Sequence, residues 1–173
     1  MSDADRASTT TDRSVQPPMQ GVVAVVLRGA EFLVIRRSLT VRAPGAYCFP
    51  GGGIEAQEAE ADAVRREMQE ELGVIAHPVR RIWQCTASIS RIPLYWWLTE
   101  LDAAAEPRPN PAEVHSYYWL DLPRILSLPG LLETNRAFLS AVHMGKVQWD
   151  GRAAVVPRDA ETRHHGGPGE QNV

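Results

Sequence analysis

The sequence predicts a mixed α/β (α+β) domain in which helices pack on a mixed β-sheet. Three features carry this expectation: an early pair of β-branched runs joined by a tight turn, a helical stretch free of proline and glycine, and a later group of aromatic-rich strands followed by a second helical stretch. The fold class follows from the order of these pieces.

Residues 1–18 are rich in Ser, Thr, Asp and Arg and end in Pro17-Pro18, with too few large apolar side chains to fold alone. A disordered N-terminal tail is expected there. Val22 to Leu27, a turn at Arg28-Gly29-Ala30, and Phe32 to Ile35 then read as a β-hairpin. Glu58 to Leu72 carries Val64, Met68 and Leu72 at four-residue steps, which predicts a helix with one buried stripe, stopped by Gly73. Three strands follow, over 79–87, 92–101 and 116–120. A second helix is expected near Glu133 to Met144, with Ala137, Phe138 or Leu139, Ala141 and Met144 on its inner face and Gly145 ending it. From residue 151 the chain is polar and rich in Pro, Gly and His, and a disordered C-terminal tail is expected. The folded domain is thus placed at 19–150, with no internal repeat.

Composition narrows the function. Apolar residues make up 44% and charged residues 23%, with no apolar run near a membrane-spanning length, so no membrane span is expected. The N-terminus lacks the apolar centre of a secretory signal, which makes the cytoplasm the default location. A net charge of −3 argues against polymeric nucleic acid as the main partner, because such binders carry an excess of Lys and Arg. Cys48 and Cys85 fit no metal-ligand spacing and read as buried free thiols. His77, His115 and His143 are scattered and read as ordinary.

The chemistry sits in Pro50-Gly51-Gly52-Gly53-Ile54-Glu55-Ala56-Gln57-Glu58 and in the run from Arg65 to Val74. Glu67, Glu70 and Glu71 stand at i, i+3 and i+4, so their carboxylates share one helix face. Like charges at that spacing cost roughly 0.2–0.5 kcal/mol per pair. Acids in the last turn also oppose the helix dipole by about 0.3–1 kcal/mol. A bound divalent cation reverses both terms, since converging carboxylate oxygens are what a hard ion takes as ligands. Taken alone, such a cluster is more often a solvated acidic face. The glycine run ahead of the helix lets a backbone approach a ligand. Glu58 and Arg66, eight residues apart on a similar face, are spaced for a bridging contact.

With those neighbours the stretch resembles the Nudix box, G-x5-E-x7-R-E-U-x-E-E-x-G-U. Gly52, Glu58, Arg66, Glu67, Met68, Glu70, Glu71, Gly73 and Val74 fill every defined position. The box covers about an eighth of the chain, and the flanking strand order is similar to the family fold across 19–145. The resemblance implies a Nudix fold, a mixed β-sheet sandwiched between α-helices. It also implies Mg²⁺-dependent hydrolysis of the diphosphate linkage in a nucleoside diphosphate derivative, such as a nucleotide sugar, a dinucleotide or a nucleoside triphosphate. Glu67, Glu70 and Glu71 would be metal ligands, the Gly52 region would give a carbonyl, and Mn²⁺ could replace Mg²⁺. Arg66 and Glu58 would tie loop to helix, and the general base would be a box glutamate or one from a later loop. Glu113, in Asn110-Pro111-Ala112-Glu113, is the candidate for the latter, against the plain reading of an exposed loop acid. Many relatives are dimers, so a homodimer belongs to what the resemblance implies.

Two departures are visible. Gln57 and Ala59 replace the Gly before and the Ser or Thr after the first box glutamate in many relatives, and Ala59 removes a helix cap. Arg37 to Arg42, followed by Gly45 and Phe49-Pro50-Gly51-Gly52, misses the coenzyme A diphosphatase signature by one residue of spacing. Tyr47 and Phe49, just before the glycines, read as core or sheet residues. Arg36, Arg37 and Arg42 are candidates to meet substrate phosphates or a base. Among Trp83, Tyr95, Trp96, Trp97, Tyr117, Tyr118 and Trp119, one or two are expected to point into the site, where a base could stack. Beside hydrolysis of a small phosphorylated nucleotide, two other readings are a Nudix sensor without catalysis, disfavoured by the intact glutamates, and prenyl diphosphate isomerisation, for which no further active-site cysteine is evident.

Overall fold

Val22 to Val26 have no polar member because both faces of their strand are covered. Val22, Ala24 and Val26 point to one apolar layer, and Val23 and Val25 to another. The computed structural model describes residues 20–147; the expectations for 1–18 and 151–173 lie outside the described residues. In chain order the elements are β1 (Gly21–Arg28), β2 (Glu31–Arg37), β3 (Tyr47–Cys48), α1 (Glu60–Leu72), β4 (Ala76–Thr86), β5 (Pro93–Leu101), β6 (Val114–Leu120), α2 (Leu122–Ser127) and α3 (Glu133–His143). The sheet runs β3-β2-β1-β5-β4, with β6 pairing β2. Among the described strands β1 and β5 pair in parallel and the other pairs are antiparallel, so the sheet is mixed.

Helices cover both faces. Ala63, Val64, Met68 and Leu72 of α1 pack with Val22, Leu33 and Ile35, while Phe138, Leu139 and Val142 of α3 and Ile125 of α2 pack with Val23, Val34 and Trp96. The sandwich expected from the family resemblance is therefore the observed fold. Among the described residues no helix is long and apolar enough to cross a membrane.

Several boundaries move for identifiable reasons. Helix α1 starts at Glu60 rather than Glu58, because Gln57 takes a left-handed φ of 68° and the Glu58 amide closes a turn on the Glu55 carbonyl at 3.1 Å. Ala59 sits at its N-cap without a side-chain bond, and Gly73 (φ 64°) ends it. Strand β4 begins at Ala76, earlier than 79, since an edge strand tolerates Pro78 next to a bulge. Helix α2 was not read from the sequence, although Asp121 caps it by accepting from the Arg124 amide at 3.0 Å and Pro123 lies in its first turn. The inner face of α3 is Asn135, Phe138, Leu139, Ala141 and Val142; Ala137 and Met144 are exposed, a phase error of about one residue.

One irregularity sets up the site. Strands β1 and β2 pair only beside their turn, at Leu27↔Phe32 and Arg28↔Glu31. Beyond that they part, and residues 47–52 fill the gap. Tyr47 and Cys48 pair with Arg36 and Ile35 of β2, while the amides of Val22 and Ala24 donate to the carbonyls of Gly52 and Pro50, each at 2.9 Å. The glycine run is thereby pinned inside the sheet.

Candidate functional site

Gly51 is glycine because nothing larger fits, and Gly52 because a Cβ there would push the Glu67 carboxylate aside. A Cβ on Gly51, whose φ is 141°, would collide with the Val22 carbonyl, and one on Gly52 would collide with the Glu67 carboxylate. The Gly51 amide donates to Glu71 Oε2 at 2.9 Å. Helix α1 thus meets the glycine run through two carboxylates.

Glu67 and Glu71 are 8% and 3% exposed, which is rare for acids that lack a full set of partners. Together with the half-buried Glu113 they form a group in which one oxygen from each acid lies within 4.8 Å of the others. Burial, and then the charge of Glu67, push Glu71 up to about 8, despite the Gly51 amide and Arg37 pulling the other way. Burial likewise raises Glu67, with Glu70 and Glu113 adding to it against Arg66. Three buried or half-buried oxygen donors that repel one another fit a hard divalent cation.

The sequence placed Glu70 in this cluster. Here Glu70 is exposed and its carboxylate accepts from Arg66 Nη1 at 3.1 Å, while the third converging acid is Glu113. The helical wheel explains the split, and the signal was available. At about 100° per residue, the buried stripe of Val64, Met68 and Leu72 centres about 60° from Glu71, about 100° from Glu67 and about 160° from Glu70. Glu113 reaches the group from the segment before β6. That segment is fastened by its amide to Asn110 O at 3.0 Å and by its carbonyl to the Ser38 amide at 2.8 Å.

Arg66 joins loop to helix. Its Nε and Nη2 donate to the two oxygens of Glu58, both at 2.9 Å, its Nη2 also to the Gly53 carbonyl at 2.7 Å, and its Nη1 to Glu67 at 2.8 Å. The Arg66 hydrogen bonds hold Glu58 below the usual carboxylate range, and Glu58 in turn accepts from the Glu55 amide. The residues are placed as a bracket from 53 to 70. Gly73 acts only as the helix stop.

A cleft adjoins the glycine run. Arg37 lines it beside Gly51, Gly52 and Gly53, and Arg42 lies at its outer end; Arg37 Nε donates to the Arg42 carbonyl at 2.8 Å. Arg36 instead turns to the Gly45 carbonyl and the Tyr47 ring. None of the seven late-strand aromatics lines this cleft. Trp83 and Trp96 join the α3-side core, and Tyr95, Trp97, Tyr117 and Trp119 pack on the α1 side. Tyr118 faces Tyr47, half-buried in β3, while Phe49 is buried in the core.

Asn135 was missed. It is buried, and its Oδ1 accepts from the Phe49 amide at 2.7 Å, anchoring the approach to the glycines on α3; a polar residue in an otherwise apolar helix face was its only sequence signal. Cys48 and Cys85 are both free, Cys48 buried and Cys85 only partly so. Burial, helped by Glu71, pushes the Cys48 thiol up to about 12, so it stays protonated. His77 pairs with Asp102 on the surface, and His115 with Ser116.

A mixed sheet between helices, with a glycine run and glutamate-bearing helix joined by one arginine, is the architecture of a Nudix domain. Residues 17–142 match the family model for the NUDIX domain, and the chain belongs to that family. It is 30% identical over 112 residues to an NAD-capped RNA hydrolase of Stutzerimonas stutzeri (strain A1501), covering 62% of this chain and 38% of that protein. An m7GpppN-mRNA hydrolase of Danio rerio is 31% identical over 121 residues, 57% of this chain and 40% of that protein. The match thus spans about two fifths of the length of these curated relatives. The crystal structure of a MutT protein from Methanosarcina mazei Go1 superposes with a TM-score of 0.62 at 26% identity, over 73% of this chain and 93% of that one.

Proposed function

We propose that this chain is a Nudix-type pyrophosphohydrolase that cleaves the diphosphate link of a nucleoside diphosphate derivative with the help of a divalent cation. The observation that carries the reading is the convergence of Glu67, Glu71 and Glu113 beside a glycine run that also borders a cleft containing Arg37. Glu67 and Glu71, with Glu70 and the Gly52 carbonyl as further oxygens, would hold Mg²⁺, or Mn²⁺ in its place, with Glu113 beside them. When bound, the ion supplies Lewis-acid neutralisation of diphosphate charge and a more acidic water.

The protein's own groups do the rest. Arg37 and Arg42 meet and orient the phosphates from the cleft side. Arg66 and Glu58 fix the glycine run against α1, so that Glu67 keeps its place. Glu113, outside the helix and half-buried, accepts a proton from the attacking water as a new P–O bond forms and the bridging P–O bond breaks, leaving two phosphate-containing products. A small nucleotide-type substrate rather than polymeric nucleic acid, a cytoplasmic setting and a homodimer complete the reading; the net charge of −3 supports the first and the family resemblance the last.

The test is product release from a panel of nucleotide sugars, dinucleotides, nucleoside triphosphates and coenzyme A, with Mg²⁺ and with chelator. Because two relatives are named for capped RNA, NAD-capped and m7GpppN-capped oligonucleotides belong in it. Metal-dependent cleavage of one class is expected. Folded protein that binds Mg²⁺ yet cleaves nothing would replace the enzyme by the sensor reading.

A further inference from the structure

Helix α1 begins without the side chain that ordinarily fixes a helix start. Ala59 has the extended backbone of an N-cap (φ −77°, ψ 148°), but its methyl group accepts no hydrogen bond from the first turn. Gln57, two residues earlier, takes a left-handed φ of 68°, so the chain enters the helix through a bend. An uncapped helix start is where fraying begins. Glu58 lies in this stretch, and Arg66 grips it while holding Glu67. A frayed start would loosen that bracket.

The fastening comes from the sheet. Glu60, the first residue of α1, accepts from Trp97 Nε1 at 2.8 Å through one carboxylate oxygen and from Arg81 Nη1 at 3.1 Å through the other. Both donors are held in turn. Arg81 of β4 and Trp97 of β5 are register partners, so their side chains stand together on one face of the sheet. The Arg81 guanidinium also lies over the Tyr95 ring at 5.1 Å, and Tyr95 and Trp97 pack on the α1-side core. With its side chain 27% exposed, Glu60 is sheltered enough for these charge-assisted bonds to hold it. Asp62, the other acid of the first turn, pairs with Arg65 of the same helix, a contact that does not fasten α1 to the sheet. The far end of α1 is tied separately, by the Arg108 amide on the Leu72 carbonyl at 2.7 Å and the Asn110 amide on the Glu71 carbonyl at 2.9 Å.

Resting on the pyrophosphohydrolase reading for the cation it names, we propose that Glu60, clamped by Trp97 and Arg81, is a positioning residue: it fixes the first turn of α1 in place of the missing cap and so keeps Glu67 where a divalent cation needs it. Glu60 stands outside both the converged acids and the cleft, so its effect passes through the helix. The first turn sets Glu58 and Arg66 against each other, and Arg66 holds Glu67 at 2.8 Å.

Amide hydrogen exchange and Mn²⁺ titration of the full chain test this without the reaction. Glu60→Ala is expected to speed exchange of the amides of residues 63–66 about fivefold or more, the scale of one lost cap, while those of 69–72 stay as in the wild type. The same variant should bind Mn²⁺ about threefold to tenfold more weakly, less than the loss of a group that bonds a ligand directly. Ala59→Ser added to Glu60→Ala supplies the cap by another route and should recover both. Trp97→Phe, which keeps a ring and removes the N–H, should show the same two losses and takes the place of Glu60→Ala if that variant does not fold. Unchanged Mn²⁺ binding, unchanged exchange at 63–66, or losses that Ala59→Ser leaves standing would each overturn the assignment. A wild-type chain that binds no Mn²⁺ would overturn the metal reading instead, and exchange with its rescue would then decide alone whether Glu60 stands in for the cap.

Discussion

At neutral pH the metal-free chain keeps a proton on Glu71, since burial lifts that carboxyl to about 8 from an ordinary value of 4.5. The folded state therefore binds this proton more tightly than the unfolded chain. Its contribution to stability is complete below pH 4.5 and is lost as pH rises through 8. Glu67, raised in the same direction, adds to the loss, while Glu58 works oppositely, its contribution disappearing only as pH falls below 4.5. The expected result is a metal-free melting temperature that declines from pH 5 to pH 8, a decline that Mg²⁺ reverses and that Glu71→Gln flattens. A wild-type profile that is flat or rises would contradict the burial of a protonated Glu71. Gly52→Ala tests the neighbouring contact. Its Cβ would displace the Glu67 carboxylate while leaving the backbone unstrained, so turnover should fall about 10²-fold, with melting nearly unchanged. Wild-type turnover in that variant would show that Glu67 is not needed where it stands.

Elements contribute by what they hold together. Helix α1 and the glycine run meet through Arg66, which donates to Glu58 and the Gly53 carbonyl on the loop and to Glu67 and Glu70 on the helix. Lysine can reach only part of that set. Arg66→Lys is expected to cost about 1–2 kcal/mol, discounted because the side chain is 23% exposed, and to lower turnover by more than tenfold. Unaltered turnover, measured with the melting curve, would remove Arg66 from the site. The helix and its stop were legible in the sequence because Val64, Met68 and Leu72 keep one phase and Gly73 follows. Helix α2 was short enough to pass as loop, and its Asp121 cap was the signal overlooked. Phase was the weak point in α3, where Ala137 and Met144 were placed on an inner face that carries Asn135 and Val142 beside the expected Phe138, Leu139 and Ala141.

Across the whole molecule, the sandwich brings together parts that are distant in sequence. The glycine run, the α1 glutamates and Glu113 converge because residues 47–52 wedge between β1 and β2, and because Ser38 ties the segment before β6 to the end of β2. The box residues could be read from the resemblance of their spacing to the family motif. The wedge could not, because it depends on two strands that pair at one end and part at the other. The same limit hid the cleft. Its lining is drawn from β1, β2, β5, α3 and the β4–β5 turn, and of the aromatic residues suggested for it all but Tyr118 are spent in the two cores.

The account rests on the claim that the α1 glutamates hold the ion on which diphosphate cleavage depends. The initial rate on whichever panel substrate is cleaved, followed against free Mg²⁺ for the wild-type chain and for Glu67→Gln, Glu70→Gln and Glu71→Gln, addresses it most directly. The wild-type rate should rise to saturation and vanish in chelator, with each variant lower by about 10² or more at saturating Mg²⁺. A rate that persists in chelator, or variants that match the wild type, would contradict the metal site and the function built on it.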